Sequence, residues 1–203
     1  MDHMTAKVSC FARAYHHKNN QVCIFDDPMA EKLLGNEYEQ IAEHMAAGVK
    51  FFLPDFKGTK EEGLRLIVDR QLSPSVLGRS AFCEEKLSEA VKQGCSQYLL
   101  FASGYDTFAL RNSEISLSIY ELDFPELLAD KRMRTDRGHM KSMSVDESKE
   151  TRTNQTLASG AGEQMKALYS RKEMEALLQR CGFAVMEHLK KETEKGVDKS
   201  LPT

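Results

Sequence analysis

No apolar run in this chain of 203 residues approaches the ~18 residues that a membrane-crossing helix needs. The opening stretch MDHMTAKVSCFARAYHHKNN is equally without the continuous apolar core of a signal peptide. A cytoplasmic protein with no membrane partner is therefore expected. An excess of basic side chains is missing too: 28 Lys and Arg stand against 31 Asp and Glu, a formal net charge of -3. That balance cannot neutralise a phosphate backbone, so no nucleic-acid partner is expected. C-x-x-C pairs are absent. Cys10, Cys23, Cys83, Cys95 and Cys181 lie far apart, which argues against a disulfide framework and against a zinc site. Most of the five read as small buried hydrophobes. His16 and His17 are neighbours that point in different directions and have no third ligand at metal spacing, so no metal site is expected.

What the chain does have is an apolar content of 41%, enough for a core, and a length that fits one domain at ~100 to 200 residues each. Residues 1 to about 70 read mostly as helix. Phe25-Asp26-Asp27-Pro28 forms a turn, Met29, Leu33 and Leu34 follow at helical spacing, and Gly35 is a stop. Phe51, Phe52 and Phe56, broken by Pro54 and Gly58, read as a loop that packs aromatics into the core, with a substrate lid as the alternative. The segment 80–94 is a helix with Phe82, Leu87, Ala90 and Val91 on one face and Gly94 at its end.

A strand over 98–101 then runs into the turn Ala102-Ser103-Gly104, a short helix around Thr107 to Arg111, and a second strand from Ile115 to Leu122. In that strand Ile115, Leu117 and Ile119 alternate with Ser116 and Ser118, which predicts one buried face. Asp123 closes it, and Pro125 opens a helix. Strand, turn, short helix and strand favour a parallel pair with a right-handed crossover. Further on, Ser170 to Glu173 has capping-box spacing, Met174, Leu177, Leu178 and Cys181 make an apolar face, Gly182 is a stop, and 183–189 reads as a strand. Between these units lie about thirty residues, 134–164, with hardly an apolar side chain. Unstructured loops beyond ~12 to 15 residues are uncommon inside a domain, so a segment is expected to be absent there, through a deletion or through residues left out of this sequence.

The chemistry is concentrated at the first strand end. In open α/β sheets ligands bind outside the carboxyl ends of strands, where a small-residue turn lets them approach the backbone amides. An acidic residue about 20 positions later, at the end of the next strand, can accept hydrogen bonds from ribose hydroxyls. Asp123 stands 19 positions after Gly104. The turn does not follow G-x-G-x-x-G, which counts against a NAD-dependent oxidoreductase, and the short crossover points to a nucleoside ligand without a pyrophosphate.

GRSAFCEEKL, LLFASGYDTFALR and IYELDFPELLADKR together resemble the leucine carboxyl methyltransferase family of S-adenosylmethionine-dependent enzymes, which includes many bacterial O-methyltransferases of polyketide biosynthesis. TAKVSCFARAYHH and FDDPMAEKLLG are similar to the family's opening segments, so the likeness covers most of residues 5–132 and resumes over about 148–189. The resemblance implies an α/β fold with a Rossmann-like class I methyltransferase sheet, in one domain over 1–203. That domain comprises a helical N-terminal region, 1–78, and a core, 79–203, interrupted near 143–146, where the family's central strands are missing. It implies S-adenosyl-L-methionine as cofactor, with Lys7 and Arg79 at its methionyl carboxylate, Ala102, Ser103 and Gly104 as the glycine-rich loop, and Asp123 at the ribose. Ala102 stands where many members carry Gly. The implied reaction is in-line transfer of methyl to an acceptor oxygen, a carboxylate or hydroxyl of a small molecule or protein, with no catalytic residue assigned. A catalytically inactive α/β binding or scaffold protein derived from the family is the alternative.

Overall fold

Residues 3–112, 115–137 and 171–186 are described by a computed structural model. The chain divides into two compact units, Met1–Gln155 and Thr156–Thr203. The join near 143–146 lies outside the described residues.

The first unit is mostly helical. Its first helix, α1 (Met4–Asn19), buries every residue from Cys10 to His16, so this stretch is enclosed on all sides rather than on one stripe. Asp27 accepts the amide of Ala30 (3.1 Å) ahead of α2 (Ala30–Leu34), which buries Leu33 and Leu34. Gly35, at φ 57°, ends it, a conformation that costs glycine least. α3 (Glu37–Ala47) and α4 (Val49–Phe52) follow. A capping box formed by Thr59 and Glu62 starts α5 (Lys60–Ile67), and a π-helical segment, Val68–Leu72, passes into α6 (Ser73–Lys92). The helix expected over 80–94 thus begins seven residues earlier, at Ser73, because Pro74 sits in its first turn, where a missing N–H costs nothing.

Two strands make a parallel sheet, β1 (Gln97–Phe101) and β2 (Ser118–Leu122), in register from Gln97 opposite Ser118 to Phe101 opposite Leu122. β2 begins at Ser118 rather than Ile115, so Leu117 packs just before it, next to Leu87, Phe108 and Ile119. The crossover carries α7 (Phe108–Arg111). After β2, α8 (Pro125–Arg137) buries Leu127, Lys131 and Thr135 at a spacing of four. Lys131 Nζ reaches both oxygens of Glu121, each at 2.7 Å, so the charge on the covered side of β2 is neutralised. Burial raises the Glu121 pKa, and the Lys131 ammonium opposes that rise.

Two expectations are corrected. Phe51 and Phe52 stack edge to face but stand 83% and 43% exposed, because α4 turns them outward instead of into the core. Of the five cysteines Cys10 alone is buried, its thiol pushed up to about 12 by burial. The others lie on surface turns and helix faces that the spacing did not reveal.

In the second unit the helix Arg171–Arg180 ends at Gly182, φ 85°. Phe183 N donates to Leu178 O and Gly182 N to Gln179 O, both at 3.0 Å, the bond pair of a Schellman stop. Residues 183–186 are not a strand; the rest of the expected strand, 187–189, and Ser170 lie outside the described residues.

Candidate functional site at the strand ends

The sheet register decides what meets at the first strand end. Since Phe101 pairs with Leu122, the residues that follow each strand emerge side by side. Gly104 N donates to Asp123 Oδ2 (2.7 Å) and Phe124 N to Asp123 Oδ1 (2.8 Å), leaving lone pairs on both carboxylate oxygens. Ser103 N donates to Leu122 O (3.3 Å) and Asp106 N to Ser103 O (2.9 Å). Both flanks of Ser103 are left-handed, Ala102 at φ 54° and Gly104 at φ 52°. For alanine this costs about 1 kcal/mol and persists only where the surroundings enforce it. A Cβ on Gly104 would lie 3.2 Å from Ala6 Cβ, so α1 passes directly over the turn. The Ser103 hydroxyl is buried with no hydrogen-bond partner among the described residues.

A buried polar network encloses the turn from below. Arg13 donates through Nε to Asp27 Oδ2 (2.8 Å) and through NH2 to the Tyr105 carbonyl (2.6 Å). Asp27 is fully buried and also accepts the Thr107 hydroxyl (2.7 Å). Arg111 Nε donates to Thr107 Oγ1 (3.0 Å), and its guanidinium pairs with Glu84 of α6. Burial alone would lower the Arg13 pKa; the Cys10, Asp27 and Asp106 groups raise it above its usual value, so it stays charged.

A second network joins α1, α3 and α8. Glu37 accepts from Lys7 Nζ (2.7 Å) and pairs with Arg134 (2.6 Å). Arg134 also pairs with Asp130 (2.5 Å), which accepts the Tyr105 hydroxyl (2.5 Å), and it lies 5.1 Å over the Tyr105 ring. Burial works against the Glu37 and Asp130 carboxylates. For Glu37 the hydrogen bonds from Arg134 and Lys7, and for Asp130 those from Arg134 and Tyr105, outweigh it and hold both below their usual values.

Of the residues expected at the site, Ala102, Ser103, Gly104 and Asp123 are brought together. Lys7 follows Ala6 over the turn but spends its ammonium on Glu37. Arg79 is exposed on α6, and no described hydrogen bond or ion pair joins it to the turn. Arg13, Asp27, Tyr105 and Thr107 were not singled out. The signal was present: an arginine inside the apolar run Phe11 to Tyr15 must find a buried partner. Among the described residues no three His, Cys, Asp or Glu side chains gather as a metal would need.

A family model described as leucine carboxyl methyltransferase matches residues 6–186. The chain is also similar to a Bacillus subtilis (strain 168) protein named "Putative S-adenosyl-L-methionine-dependent methyltransferase YktD", 34% identical over 129 residues. Those residues are 60% of this chain and 42% of the relative, so the chain spans about two fifths of the curated relative it matches.

Proposed function

Because the chain belongs to the leucine carboxyl methyltransferase family, whose cofactor is S-adenosyl-L-methionine, we propose that it binds this cofactor at the 102–104 turn and transfers methyl to an acceptor oxygen. One observation carries the reading: the register sets the Asp123 carboxylate against the Gly104 amide, beside a buried Ser103 hydroxyl that has no partner among the described residues. These groups fit the cofactor. Asp123 retains lone pairs for a ribose diol, Ser103 has a hydroxyl to offer, and small residues leave the backbone approachable.

When bound, the cofactor supplies an electrophilic methyl on a sulfonium. The chain's part is to bind, orient and exclude water. Asp123 would hold the ribose, and the Ser103 hydroxyl would be offered to the methionyl portion. Lys7 and Arg79 would answer its carboxylate; Lys7 would do so by sharing its three donors with Glu37. A carboxylate acceptor needs no general base, whereas a hydroxyl could use one. The Rossmann-like arrangement of the core belongs to the same proposal.

Calorimetry with S-adenosylhomocysteine tests it. The protein should bind, and Asp123→Ala should weaken binding about tenfold or more, since a hydrogen bond to a charged group is worth ~1.5 to 3 kcal/mol. Unchanged affinity sinks the ribose assignment, and no binding by the unaltered protein sinks the cofactor reading. The second reading, an inactive α/β binding or scaffold protein, draws on the sheet, which has two strands among the described residues. Binding without methyl transfer to carboxylate or hydroxyl acceptors would favour it.

A further inference from the structure

We propose that Arg13 is a positioning residue for the strand-end turn: its guanidinium, anchored on Asp27, locks the Tyr105–Asp106 peptide plane and with it the shape of residues 102–106. The consequence for cofactor affinity rests on the reading above; the locking itself does not.

A peptide unit is planar, so holding both of its ends stops it from rotating. The Tyr105 carbonyl at one end accepts from Arg13 NH2 (2.6 Å), and the Asp106 amide at the other donates to Ser103 O (2.9 Å). Arg13 reaches this plane from 92 residues away in sequence. Its own position is set by the Asp27 carboxylate at Nε (2.8 Å) and, more weakly, by the Ser9 carbonyl at NH1 (3.4 Å). Asp27 in turn holds the Thr107 hydroxyl (2.7 Å). Asp106 is therefore gripped on both sides, at Tyr105 by the guanidinium and at Thr107 by its counter-ion. The far end of the turn is held by Leu122 O and Asp123. Gly104, left-handed, sits between these anchors, and Ala102, also left-handed, lies just before the first of them, a backbone that would relax if an anchor were lost. The guanidinium presents Nε to the carboxylate and NH2 to the carbonyl from one rigid plane; a lysine ammonium is a point charge on a flexible stem and does not fix those two directions relative to each other.

The test compares the unaltered protein with Arg13→Lys and with the paired variant Arg13→Met/Asp27→Asn, which removes both charges of the Arg13–Asp27 pair together; Arg111, 3.5 Å from Asp27, keeps Glu84 as its counter-ion. Hydrogen exchange of the Asp106 amide is measured against the Ser118 amide, which donates to Ser96 O (2.9 Å) in the sheet, together with S-adenosylhomocysteine affinity. The expected result is protection of Asp106 reduced tenfold or more in either folded variant, with Ser118 unchanged and affinity at least tenfold weaker. Protection falling equally at both amides, or at neither, overturns the proposal, since a purely structural role loosens the whole unit. If one variant does not fold, the other decides. If the unaltered protein fails to bind S-adenosylhomocysteine, the cofactor reading falls and the exchange ratio alone judges Arg13.

Discussion

The two apolar clusters of the first unit are built on different plans. The one around α1 gathers Phe11, Leu33, Tyr38, Leu64 and Val68 with Tyr105 from beyond β1 and Leu127 from α8. The one under the sheet holds Leu87, Phe108, Leu117 and Ile119 against one face only. On the opposite face Leu99 and Phe101 stand 41% and 55% exposed. The turn between them takes its rigidity from the helical side: Ala6 packs on Gly104, Arg13 holds Tyr105, and Asp27 holds Thr107. The strands supply register, and the N-terminal helices supply the clamp. The strand-end turn is thus packed and hydrogen-bonded by residues about eighty to a hundred positions before it.

Three experiments would break or sharpen that contrast. The largest effect is expected on the helical side, where Phe11→Ala should lower stability by about 3 to 5 kcal/mol in denaturant unfolding, because the ring is fully buried. A loss no greater than that of a surface substitution would remove α1 from the centre of the account.

A smaller effect is expected from pH. His16 is buried and its Nε2 accepts from Ile24 N (3.0 Å), which a protonated ring could not do. Burial lowers its pKa below 6.5, so the unfolded chain takes up the proton first. Stability should be full above pH 6.5 and fall as pH drops through the native value, and His16→Gln should flatten that slope in thermal melts. A slope that survives the substitution would assign it to other groups. The carboxylates of Glu37 and Asp130 act in the same direction at lower pH, since both are held below their usual values in the fold.

The smallest effect is expected on the open side of the sheet. Leu99→Ser should change stability by no more than about 0.5 kcal/mol, since the side chain is already substantially solvated. A loss comparable to that of Phe11→Ala would mean that the face is covered in solution.

Much of the site was legible before the fold. The sharp passage from an apolar strand into Ala102-Ser103-Gly104 foretold a turn, and the acidic residue 19 positions on foretold a carboxylate at the end of the next strand; that this carboxylate accepts from the Gly104 amide came only with the sheet register. The parallel pairing that realises it followed from two short strands with a helical crossover. Lys7 could be placed on α1 but not paired, because Glu37 lies 30 positions away on another helix. Phe51 and Phe52 misled for a related reason: an aromatic pair has the same composition whether α4 turns it inward or outward.

Helix starts and stops depend on bonds a few positions long, so the capping box at Thr59, the ends at Gly35 and Gly182, and the acidic close of β2 were determined by the sequence itself. Which buried charges meet was decided only by tertiary structure. Arg13, Asp27 and the Tyr105 carbonyl are brought together from three separate segments by packing. A guanidinium taken out of water takes whatever carboxylate and carbonyl the fold brings within reach.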